Sequence, residues 1–119
     1  MSKIATDRRA HRRIQASFPI QSVPETGGTL ARMVAQDLSL GGLRCSSTAD
    51  YPEMTRLAVT LLLPLDGNGE AVPVDVEAVV VRRAAVAPSV TNEPRFELSL
   101  FFTRVDDTAR DRLASFLGD

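Results

Sequence analysis

Two clusters of side chains in this sequence carry recognisable chemistry. The first is Asp7-Arg8-Arg9-Ala10-His11-Arg12-Arg13-Ile14, in which Arg9 and Arg13 are four residues apart, as are Arg8 and Arg12. In an extended chain, residues four apart project to the same side and sit roughly 13 Å from each other. Two guanidinium groups at that separation can grip different parts of one extended anion. Arginine suits the task because its planar fork meets phosphate through two parallel hydrogen bonds. It also bonds guanine O6 and N7, and stacks on a base. The second cluster is Asp37-Leu38-Ser39-Leu40-Gly41-Gly42. Strand alternation there turns Leu38 and Leu40 toward a core and Asp37 and Ser39 outward together. A carboxylate accepts from guanine imino and amino hydrogens, and a hydroxyl both donates and accepts. Gly42 lets a ligand or a backbone approach with no Cβ in the way. Each cluster also has a plainer reading: a solvated basic tail, and Asp and Ser side chains bonding local amides at a strand end.

Other chemistry has little to stand on. The single histidine, His11, lies in the basic tail and reads as a solvated residue, and the single cysteine, Cys45, has no second histidine to work with. Cys45 is expected to be a small buried thiol rather than a nucleophile. No ligand spacing suggests zinc or calcium. No catalytic residue, metal ion or cofactor is therefore expected. Lys and Arg total 14 against 15 Asp and Glu, with 44% apolar and 24% charged residues, an ordinary soluble composition. The charge is uneven: residues 1–13 carry Lys3, Arg8, Arg9, Arg12 and Arg13 against Asp7 alone, while the remainder is net acidic. A basic tail on an acidic body argues for a local anion site, not a nucleic-acid footprint across the domain. There is no apolar export segment near the N-terminus and no apolar stretch long enough for a membrane span. The expected location is the cytoplasm.

These clusters must be positioned by strands. Val72, Val74 and Val76 alternate with polar residues before Val79-Val80-Val81, and Phe96, Leu98, Leu100 and Phe102 alternate in the same way, each set lining one core face. Thr55–Leu63, Phe18–Ser22, Leu30–Leu38 and Leu43–Ser46 are further strand candidates. Pro24–Gly28, Gly41-Gly42 and Asp66-Gly67-Asn68-Gly69 supply turns, and Ala85–Pro94 reads as a loop. About six short strands joined by tight turns predict a small antiparallel barrel. Val105, Ala109, Leu113, Phe116 and Leu117 follow helical spacing, with Asp106 or Asp107 to cap the start and Gly118 at the end, so a terminal helix is expected to lay this stripe over one opening of the barrel. One domain fits within 119 residues: a flexible basic segment over 1–14 and the barrel over 15–118.

Taken together, Arg9-x-x-x-Arg13 before the first strand and Asp37-x-Ser39-x-x-Gly42 across the second and third resemble the PilZ domain family. Asp7-Arg8-Arg9, Ile14 and the run Phe102-Thr103-Arg104-Val105-Asp106 leading into a short helix extend the likeness from Asp7 to about Leu117. The resemblance implies an all-β fold, a six-stranded antiparallel barrel with a C-terminal α-helix, acting as a bacterial receptor for cyclic di-GMP. By motif, Arg9 and Arg13 would contact phosphates and guanine edges with Arg8 as an auxiliary contact, Asp37 and Ser39 would hydrogen-bond a guanine, and Gly42 would leave space beside it. The family often binds the nucleotide as a stacked pair, with the arginine segment folding over it. That ordering would signal to a separate effector protein. Relatives often carry glycine where this chain has Ser99, so ligand geometry there can differ. Two alternatives stand beside this reading. One is a PilZ-fold interaction adaptor that binds no nucleotide. The other is a single-strand nucleic-acid binder, for which Phe101 and Tyr51 are the doubtful stacking platforms.

Overall fold

The computed structural model describes residues 13–64, 69–87 and 94–118. Six strands form a closed antiparallel barrel: β1 (Ile14–Pro24), β2 (Ala31–Leu38), β3 (Gly42–Ser47), β4 (Arg56–Leu63), β5 (Val72–Val86) and β6 (Arg95–Arg104), arranged around the barrel as β1-β2-β3-β6-β5-β4. Closure is made by β1 pairing with both β2 and β4, so no strand of the ring is left at an edge along its full length. One helix, α1 (Asp107–Leu117), follows β6.

The alternating patterns place the core as expected. Phe18 and Ile20 from β1, Leu57, Val59, Leu61 and Leu63 from β4, Val74 and Val76 from β5, and Leu98, Leu100 and Phe102 from β6 are all buried. Val72 and Phe96, at the strand ends, are only half-buried. Cys45 is fully buried beside the Met33 thioether, its Sγ 3.9 Å from Sδ. Helix α1 is capped by Asp106, whose carboxylate accepts from Ala109 N at 2.8 Å, and ends at Gly118 in the left-handed region. Its Ala109, Leu113 and Leu117 join the barrel core, and Phe116 meets Phe18 edge-on with ring centroids 5.7 Å apart.

Three sequence expectations need correction. The segment expected as a loop from Ala85 is strand as far as Val86, because Ala85 and Val86 pair with Phe96 and Arg95 and lengthen the β5–β6 hairpin. Tyr51, named as a stacking platform, is buried in the core, whereas Phe101 is 54% exposed. Asp37 and Ser39 are buried, not presented on an open ledge. The turn residues Asp66, Gly67 and Asn68 lie outside the described residues, as do Arg8, Arg9 and His11.

Candidate functional site

Two irregularities of register shape one outer face of the barrel. Ala35 of β2 pairs with Cys45 of β3, both pointing inward, yet the next pair is Asp37 with Arg44. Gln36 is thus the extra residue of a β-bulge, which shifts the alternation and leaves Asp37 on the outer face while Leu38 turns into the core. A matching shift in β5 pairs Val80 with Leu100 and then Arg82 with Ser99, with Val81 as the extra residue.

Asp37 lies on the outer face but is covered there. Arg13 Nη1 donates to its Oδ1, Arg44 N donates to the same oxygen at 3.1 Å, and Arg44 Nη2 stands 3.5 Å from Oδ2. The two guanidinium side chains are about half exposed, at 47% and 50%, while the carboxylate keeps 8%. Arg13 sits directly before β1, and the pairing of Ile14 with Leu38 and of Gln15 with Asp37 brings it to the carboxylate. This contact joins the one described arginine of the first motif to the acid of the second.

Ser39 bonds within its own turn. Its Oγ donates to Gly42 O at 3.3 Å and accepts from Gly41 N at 3.2 Å, while Ser39 N donates to Gly42 O at 2.9 Å. The hydroxyl therefore holds the Ser39–Gly42 turn together, the plainer of its two readings. Gly42 also has a structural reason. A Cβ built there would lie 2.2 Å from Leu100 O and 3.4 Å from Phe101 Cα, so the glycine admits the β6 backbone.

Arg13, Asp37, Ser39, Gly42, Arg44, Val81, Ser99 and Phe101 are among the residues lining an open groove of about 450 Å³ on this face. That volume falls in the range of small-molecule sites. Its polar end is the Arg13–Asp37–Arg44 triad and its apolar wall is the exposed Phe101 ring with Val81. Arg44 carries no signal in the motif spacing. It could have been found only from the pairing of β2 with β3, which puts it opposite Asp37. Cys45, next to it, faces the core, and its thiol is pushed up to about 12 by burial first and then by the negative charge of Asp37. Among the described residues no three His, Cys, Asp or Glu side chains converge on a point.

The family model described as PilZ domain matches residues 7–119. The chain belongs to the PilZ domain family. Its barrel superposes on solved PilZ structures. The Bacillus subtilis inhibitor of motility MotI/DgrA shares 21% identity at a TM-score of 0.70, the match covering 89% of this chain and 47% of that one. The PilZ domain of Escherichia coli YcgR, solved with c-di-GMP, shares 22% at 0.67, covering 93% and 90%. PlzA of Borreliella burgdorferi, in complex with c-di-GMP, shares 15% at 0.57, covering 98% and 55%. This PilZ domain thus spans about half the length of two of these proteins and nearly all of the isolated YcgR domain. At such identity the likeness is one of fold. A search of curated proteins returns no match. No helix among the described residues is long and apolar enough to cross a membrane.

Proposed function

We propose that this PilZ domain is a cytoplasmic cyclic di-GMP receptor with no catalytic activity, passing its signal to a separate effector protein. The observation that carries the reading is the Arg13–Asp37 contact on the wall of the groove, where a nearly buried carboxylate and a half-exposed guanidinium face the same open space. Guanine offers an imino and an amino hydrogen to a carboxylate, and its O6 and N7 accept from an arginine fork. Asp37 and Arg13 are those two partners, and a nucleotide entering the groove takes over bonds that they now make to each other. Because Arg13 is half exposed, releasing it from Asp37 is a small term, of the order of 1 kcal/mol or less. Arg8 and Arg9, carried on the same segment, are assigned to the phosphates, and ligand ordering that segment over the groove is the conformational signal. Ser39 and Gly42 contribute by shaping the turn at the groove floor. The YcgR and PlzA structures, both solved with c-di-GMP, support the ligand class.

The test is isothermal titration calorimetry of the full chain with cyclic di-GMP, with GTP as control. The expected result is saturable heat with a stoichiometry of one or two, weakened by salt and lost in Arg13→Ala. Absence of heat at several temperatures together with unchanged amide shifts overturns the reading and favours the adaptor alternative.

A further inference from the structure

The face that carries the groove has a second basic feature that the two motifs do not include, and it reaches beyond the groove's lining to Arg82. On the outer face, Asp37 pairs with Arg44, Arg44 with Ser99, and Ser99 with Arg82, one row across β2, β3, β6 and β5. Cross-strand partners share a face. Leu43, Cys45, Leu98 and Leu100, the chain neighbours of Arg44 and Ser99, are all buried, so that face is the outer one. Neighbouring strands lie about 4.8 Å apart, which sets Arg44 and Arg82 about 10 Å from each other with the small Ser99 between them. Two long guanidinium side chains standing either side of a serine can close over it on a single anion, with the hydroxyl as a further donor. Arg44 and Ser99 line the groove, and Val81, the bulge residue that aims Arg82, lines it as well.

The neighbouring arginine supplies the contrast. Arg83 is taken up by the fold: its Nη2 donates to Asp50 Oδ2 at 3.0 Å, and its guanidinium lies 5.0 Å from the centre of the Phe96 ring. Among the described residues, no carboxylate forms an ion pair with Arg82. Glu97 is the next acidic residue on this face, two positions along β6 from Ser99 and opposite Ser46 and Ala84.

We propose that Arg44, Ser99 and Arg82 form a second anion subsite that takes a phosphate of the cyclic dinucleotide, on the far side of Arg44 from Asp37. This rests on the receptor reading for the identity of the ligand, though not for the subsite itself. A guanine read at Asp37 leaves the charged ring of the ligand over the groove, and the row continues beneath it for about 10 Å past Arg44. Ser99 thereby gains a role: it adds a donor while staying small enough to leave the space open.

Calorimetry of the full chain with cyclic di-GMP tests this with Arg82→Ala, the cleaner variant because Arg44 also touches Asp37. The expected result is affinity at least about tenfold weaker with a shallower salt dependence, partly restored in Arg82→Lys. Arg110→Ala, which removes one positive charge from α1, is expected to leave affinity unchanged. Arg82→Ala within twofold of the parent overturns the subsite, as does an equal loss in Arg110→Ala. If the parent itself binds no cyclic di-GMP, the receptor reading falls and the subsite is judged separately by titrating pyrophosphate. Saturable amide shifts at Arg44, Ser99 and Arg82 uphold it, and their absence overturns it.

Discussion

Gly42→Ala is the substitution for which the structure makes the sharpest demand. The added methyl would sit 2.2 Å from Leu100 O and 3.3 Å from Leu100 C, and both atoms are backbone in the neighbouring strand. Ordinary contact requires a separation about 1 Å larger, and no side chain can rotate away to provide it. The β3–β6 ladder must therefore open where Gly42 pairs with Phe101 and Leu43 with Leu100. Overpacking of this kind costs about 1–3 kcal/mol, and loosening a ladder hydrogen bond adds about 1 kcal/mol. Alanine also restricts the unfolded chain, which returns roughly 0.4–1 kcal/mol. The net expectation is a loss of about 2 kcal/mol, or about 8 °C in melting temperature for a domain of this size. Thermal unfolding followed by far-ultraviolet circular dichroism measures it. A variant melting within about 2 °C of the parent with unchanged amide shifts refutes the reasoning. In that event the glycine is kept for the ligand, and binding should fall while stability holds.

Two further outcomes follow from the core and the helix. The folded chain holds the Cys45 proton up to about pH 12, against 9.0 for the ordinary thiol, so above pH 9 the unfolded chain binds fewer protons than the folded one. Stability is then lost as pH rises from 9 toward 12, by up to about 1.4 kcal/mol per pH unit, and urea melts at pH 8 and 10.5 should show that extra slope in the parent and not in Cys45→Ala. Asp106→Ala removes the acceptor for Ala109 N and should cost about 1 kcal/mol, or about 4 °C, in a thermal melt; an unchanged midpoint would mean that Asp107 or water caps the helix equally well.

The strands were legible because their alternation is nearly uninterrupted. Leu57 to Leu63 and Phe96 to Phe102 announce both their period and their inner faces, and the helix announces its cap and its stripe. The pairing of Arg13 with Asp37 was legible only as two separate motifs. What joins them is the β1–β2 register, a relation between residues 24 apart that no local pattern encodes. Exposure was the least legible property. Alternation back from Leu38 sends Asp37 outward, yet Asp37 ends up buried because Arg13, just before β1, and Arg44 of β3 lie over it. The turn role of Ser39 was legible as one of its two readings, since a serine beside a glycine turn bonds the nearest backbone groups. The reach of β5 to Val86 was hidden because Ala84 and Ala85 carry no strong strand signal and are held there by their partners Glu97 and Phe96.

Two of the barrel's register shifts, at Gln36 and Val81, bring the polar residues of the candidate site onto this face. In an unbroken β2 the alternation that buries Met33 and Ala35 would carry Asp37 into the core, where an unpaired carboxylate is very costly. The extra residue Gln36 moves it to the outer face at the point where Arg44 can meet it. In an unbroken β5, Val80 buried in the core would put Arg82 on the inner face too, and the extra residue Val81 brings it out opposite Ser99. Both ends of the Asp37–Arg44–Ser99–Arg82 row are thus set by an irregularity that a plain alternating strand lacks. Charged side chains that the regular pattern would bury are instead brought onto one outer surface, with the groove between them. On this reasoning these two bulges shape the candidate site, so deleting Gln36 or Val81 should remove ligand binding through register alone, with every candidate binding side chain still present in the chain.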